Sequence, residues 1–135
     1  TITSVGQTAD GMMVKVLMKG MAVNPGYDSG LSAQGLGTQK VIIVVVGGSS
    51  KGLGAAGVTL DQERLRARLL LQEARKRGIR VLLMHIGGAR RRGEQTDTEQ
   101  RRSSIQVVEL KYRDSQLTCD RDEPAHIRLT PPDSR

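Results

Sequence analysis

The run Gly47-Gly48-Ser49-Ser50-Lys51-Gly52-Leu53-Gly54 holds the densest set of groups able to bind something. Gly48, Gly52 and Gly54 fall in a GxxxGxG spacing, which lets backbone approach a phosphate closely while N–H groups point at it. Ser49, Ser50 and Lys51 add two hydroxyls and a cation, so the loop can surround negative charge. The same glycines serve as turn formers, permitting positive φ and close packing in a long connection with no ligand at all. Residue types alone leave both readings open.

Catalytic readings of this loop fail on its neighbours. A short-chain dehydrogenase needs Tyr-x-x-x-Lys, whereas Tyr112 has Gln116 at the fourth position, and the fingerprint lies too far from the start of too short a chain. A Walker loop needs Gly-Lys-Ser/Thr, but Lys51 precedes Gly52. Ser49 and Ser50 lack the Gly-x-Ser-x-Gly elbow. His85 reads either as a buried, hydrogen-bonded imidazole or as a site-facing one, and His126 as exposed. Neither has Cys or carboxylate partners at ligand spacing, so no metal and no cofactor is expected. Cys119 is the one cysteine, which excludes an internal disulfide, and without a nearby His it is not read as a nucleophile. Asp10 opens a helix, where the dipole favours a carboxylate, and it also suits a site.

Hydrophobic patterning supplies the elements that must hold these residues. The apolar segment Ile2–Val5 is followed by Gly6-Gln7-Thr8-Ala9-Asp10 and then by Met12, Met13, Val16, Leu17 and Met21 at helical spacing, which reads as strand, loop, helix. Residues 24–38 are rich in turn formers and read as a connection with a degenerate edge strand. Residues 40–46 are β-branched and apolar after Lys40, the signature of a central strand in a parallel sheet. A loop is expected over 47–58, so the glycines are not expected to open a helix. Thr59-Leu60-Asp61-Gln62 is a capping box. The helix it starts places Ala67, Leu70, Leu71 and Ala74 on the core face, with Leu65 and Leu69 at the margin, Arg and Glu outside, and Gly78 as C-terminal cap. Residues 79–86 form the next strand and close a right-handed βαβ unit. Residues 105–110 read as a fourth strand, 115–123 as a weak helix or turn, and 127–130 as a last edge strand. The alternation gives an α/β domain of three layers with a mainly parallel sheet. Its carboxyl edge brings together the loops 6–10, 47–57 and 87–93.

Composition bounds the rest. A length of 135 residues with 37 % hydrophobic side chains suits a single domain over 1–135, a core of 1–110 followed by a weakly defined C-terminal segment of 111–135. There is no Phe, no Trp and only two Tyr, so base stacking is unavailable and nucleic acid is not the expected partner despite a net charge of +7. Most charge lies in the second half, where Arg alternates with Glu and Asp as on a solvated face; Arg90, Arg91 and Arg92 are the exception. No apolar run is long enough for a transmembrane segment.

The runs VIIVVVGGSSKGLGAAGVTLDQE, KRGIRVLLMHIGGARRRG and TSVGQTADGMMVKVL resemble an uncharacterised family of small bacterial Rossmann-like proteins that carry GQSAD, GGSxKGLGAAG and HIGGxARRG blocks. The likeness spans about residues 1–97 and is weaker beyond; an extra Arg in 89–93 departs from the blocks. It implies a three-layer Rossmann-like or flavodoxin-like domain. The site edge it implies is built from Ser4, Gly6, Gln7 and Asp10, from Gly48, Ser49, Lys51, Gly52 and Gly54, and from His85, Gly87, Gly88, Arg90 and Arg91, to which the hydroxyl of Ser50 is added as a ligand-binding candidate. It implies no activity. Family members are often exported, which implies an extracellular or cell-envelope protein after removal of an export signal, the cytoplasm being the alternative. The expectation is a noncatalytic module holding an anionic or polar small ligand, with Lys51 and Arg90 or Arg91 sharing one anion. The alternatives are a self-assembling extracellular protein, as a homo-oligomer or filament subunit, and an enzyme whose site is not recognisable.

Overall fold

Four strands form one sheet in the order β1-β2-β3-β4. β1 (Ile2–Val5), β2 (Val41–Val46) and β3 (Arg80–Ile86) run parallel, and β4 (Ile105–Glu109) pairs antiparallel with β3. The computed structural model describes residues 1–86, 105–113 and 116–118. β2 is flanked on both sides, and its side chains alternate between two cores. Ile42 and Val44 pack with Leu70 and Ala74 of α3 (Leu60–Lys76). Ile43 and Val45 join Ile2, Leu82, Ile86 and Val14, the last from α1 (Asp10–Gly20). Helices therefore cover both faces, as the doubly apolar β2 requires, and the domain is α/β.

Beyond β1 the chain adds the expected degenerate edge. The Ile2 amide donates to Gly26 O at 2.8 Å and the Asp28 amide to Ile2 O at 3.0 Å, making a parallel bridge between Ile2 and Tyr27. With this bridge the spatial order is 26–28, β1, β2, β3, β4. The chain leaves β1 outward under α1, then returns across the opposite face through Leu31 and Leu36, which pack beside Leu70, before entering β2. Its direction of travel reverses between β1 and β2.

The capping box at the start of α3 is present. The Gln62 amide donates to Thr59 Oγ1 at 3.2 Å, and the Thr59 amide to Gln62 Oε1 at 2.8 Å. Gly78 ends this helix region at φ +66°. At three other places the structure differs from the pattern. The glycine run does open a helix, α2 (Ser50–Ala56), because the Ser49 side chain accepts from the Gly52 amide at 2.9 Å and offsets the poor helix propensity of glycine. In α1, Val14 and Met18 face the sheet while Met12, Met13, Val16 and Leu17 point outward, as does Met21 just past its end; apolar residues lie on both sides of the helix, so spacing alone does not single out the inner one. Of the segment 115–123, expected as a weak helix or turn, Gln116–Thr118 forms a short strand, β6, antiparallel to β5 (Lys111–Arg113), and the rest lies outside the described residues; three residues are too few for a readable strand period. The edge strand expected at 127–130 lies outside the described residues. Among the described residues no helix is long and apolar enough to cross a membrane.

Val44 is 1 % exposed in the middle of the sheet, so Val44→Asp places a charge where it meets neither water nor a partner. Soluble, cooperatively melting protein should be lost, as read by the soluble fraction and far-ultraviolet circular dichroism. A variant that melts within a few degrees of the parent would show that this position is not central.

Candidate functional site

β1 ends in a turn whose backbone is unusual twice over, with Gly6 at φ +84° and Gln7 at φ +54°. A Cβ at Gly6 would run into Gly47 O, and one at Gly52 into Gln7 O, so the loops after β1 and β2 touch through backbone. Two hydrogen bonds join them: Gly47 N to Val5 O and Ser49 N to Gly6 O, each 3.0 Å.

The turn is held from below by a carboxylate. Glu63, in the first turns of α3, is 3 % exposed. Its Oε1 accepts from the Gly6 amide at 2.8 Å and its Oε2 from Gln7 Nε2 at 3.1 Å. Arg66 grips both oxygens, Nη2 to Oε1 at 2.7 Å and Nε to Oε2 at 2.8 Å. The same guanidinium donates to Ser4 O at 2.6 Å through Nη2 and to Leu31 O at 2.6 Å through Nη1. Burial alone pushes the Glu63 carboxyl upward, but the donors of Arg66, Gln7 and Gly6 and the charge of Arg66 outweigh it, leaving the pKa at about 2.

Above this brace lies a pocket of about 270 Å³ lined by Thr8, Ala9, Asp10, Gly47, Gly48 and Ser49. Asp10 is buried at the start of α1, where the helix dipole favours its charge. The Thr8 hydroxyl donates to Asp10 Oδ2 at 2.8 Å, and the Asp10 amide donates to Thr8 Oγ1 at 3.3 Å. Gly48 differs from Gly6 and Gly52, because a Cβ there meets nothing within 4 Å.

Of the expected site residues, Asp10, Gly48 and Ser49 line the pocket. Ser4 lies below it, its Oγ donating to Thr8 O at 3.0 Å. Gln7 reaches down to Glu63. Ser50, Lys51, Gly52 and Gly54 belong to α2, with Ser50, Lys51 and Gly54 exposed. His85 sits on β3 with Nδ1 3.0 Å from Val46 O; a carbonyl only accepts, so the proton is on Nδ1. Its Nε2 is buried without a hydrogen-bond partner among the described residues. Gly87, Gly88, Arg90 and Arg91 lie outside the described residues, as do Cys119 and His126. Among the described residues no cluster of three His, Cys, Asp or Glu side chains is arranged for a metal.

Glu63, Arg66 and Thr8 were not anticipated. The hydrophobic pattern places Glu63 with the other charges on the solvated face of α3. The signal was nonetheless present: the buried positions 67, 70 and 74, extended back by four residues, land on Glu63, and Arg66 follows one turn later.

Residues 1–108 match a protein-family model described as a domain of unknown function, DUF6305. No curated protein and no solved structure matches the chain.

The lowered Glu63 pKa makes this group stabilising wherever it is ionised in both states. Its contribution is full above its ordinary value of 4.5 and is lost as the pH falls toward about 2. Replacing Glu63 with Gln should cost about 3 kcal/mol at pH 7 and flatten the loss of stability below pH 4.5, measured by urea unfolding at several pH values. Equal acid slopes in parent and variant would contradict the brace.

Proposed function

The chain belongs to the DUF6305 family, and we propose that it is a small binding module that holds a polar small ligand at the carboxyl edge of its sheet. One observation carries this reading: the pocket opens between the ends of β1 and β2, where the chain's direction of travel across the sheet reverses. In doubly wound α/β sheets, ligands bind outside the strand ends at such a reversal, because the two connections depart to opposite faces and leave a crevice. We read the domain as flavodoxin-like on the same ground.

The lining narrows the ligand. Asp10 contributes a buried carboxylate, and Thr8 and Ser49 contribute hydroxyl oxygens, a set that favours a molecule with hydroxyl or amino donors over a phosphate. Lys51 lies on α2 away from the lining, so an anion shared with Arg90 or Arg91 is the weaker form of the reading. The volume sits near the low end for ligand cavities, about 300 Å³, and suits a compact molecule. Among the described residues the lining offers one carboxylate and two hydroxyls and no His, Cys or Lys, which favours holding over transforming.

Gly48→Val tests the pocket directly, since a side chain there meets open space. Thermal melting of parent and variant would be followed with glycerol, glucose, ethanolamine, inorganic phosphate and citrate. The parent should be stabilised by a hydroxyl- or amino-bearing probe, by about 2.7 kcal/mol at a hundredfold excess over Kd, and the variant should not. Identical responses of the two proteins to every probe would refute the site, and a response to phosphate and citrate alone would favour the anion.

A further inference from the structure

Helix α1 turns only a narrow stripe inward, with Val14 and Met18 against the sheet. On the opposite side Met12, Met13, Val16 and Leu17 are 47–63 % exposed, and Met21, just past the helix, is 67 % exposed. At about 100° per residue, Met12, Val16, Met13 and Leu17 form one continuous outward arc. Lys15 and Lys19 fall along one margin of that arc, and the one acid of the helix, Asp10, is buried. The outward face is therefore an apolar ridge with a cationic border and no exposed carboxylate. An apolar helix face of this kind is ordinarily covered.

Charge and shape select the cover. A second copy docking α1 antiparallel on α1 about a two-fold axis would set the two lysine margins against each other. The convex face of a single helix suits a flat, deformable, negatively charged surface. We propose that α1 seats this chain on anionic lipid, with Met12, Met13, Val16 and Leu17 entering the interface and Lys15 and Lys19 against headgroup phosphates. The net charge of +7 adds long-range attraction. Because the helix is already held by its inner stripe, binding requires no folding at the surface. This inference is independent of the pocket, which lies at the sheet's carboxyl edge.

Co-sedimentation of the full chain with vesicles tests it. Phosphatidylcholine alone would be compared with phosphatidylcholine containing about one third phosphatidylglycerol, at low and high salt. The parent should pellet with the anionic vesicles only, and less at high salt. Val16→Asp combined with Leu17→Asp should abolish pelleting while leaving the melting temperature unchanged, since both positions face outward. Lys15→Gln and Lys19→Gln should weaken binding roughly fivefold each. Absence of pelleting by the parent, or pelleting that survives the two aspartates, would overturn the proposal. So would a drop of several degrees in melting temperature for the aspartate variant, which would show the face buried within the chain. An oligomer that the aspartates dissociate, without any vesicle binding by the parent, would assign the ridge to a second copy instead.

Discussion

The ion pair between Glu63 and Arg66 is the constraint on which the site depends. Taking both charges out of water costs several kcal/mol per ion, and attraction alone seldom returns it. Here nearly every donor and acceptor of the pair is used, on Gly6, Gln7, Ser4 and Leu31. Those partners come from the end of β1, the turn after it and the return crossover. These are the segments that must be fixed in relation to one another where the chain reverses. Apolar packing positions the strands and helices, but it offers nothing to the amide of Gly6 or the carbonyls of Ser4 and Leu31. A carboxylate and a guanidinium side by side satisfy all three. Arg77 repeats the device at the other end of α3, donating to Leu36 O at 2.6 Å and pairing with Glu73 at 2.7 Å.

With the first turn fixed, the second is laid on it. Gly6 and Gly52 are required because backbone from the other loop occupies the place a side chain would take. This contact, with the bonds from Gly47 and Ser49, sets the height of the glycine loop and leaves the space that Thr8, Asp10 and Gly48 line. The glycines thus divide by physical role: Gly6 and Gly52 permit close approach, and Gly48 lines the pocket with open space where a side chain would stand.

Much of this was legible in the residues. VIIVVV can only be a strand covered on both faces, and Thr59 with Gln62 announces a helix start through complementary donors and acceptors. What escaped did so for identifiable reasons. A single bridge at Tyr27 has no two-residue period, so the reversal between β1 and β2 could not be seen in pattern. Glu63 occupies a core register with a charged side chain, and burial of such a group is decided by partners far away in sequence, at Gly6 and Gln7. α2 is built from glycines that locally argue against a helix and is stabilised by one serine cap. Of the expected site residues on the first two loops, Asp10, Gly48 and Ser49 line the pocket, while Gln7 and Gly52 hold the loops together and Ser50, Lys51 and Gly54 lie exposed on α2.

The most direct test is amide hydrogen exchange at Gly6 and Ser49 in the parent and in Arg66→Met, a variant that removes the guanidinium and keeps the aliphatic stem. If the ion pair holds the edge, these two amides exchange in the parent only with opening of the sheet, at the rate of the β2 amides. In the variant they should exchange much faster while β2 remains protected, a local opening confined to the loops. Uniform acceleration of Gly6, Ser49 and β2 together, or no change at Gly6, would contradict the account.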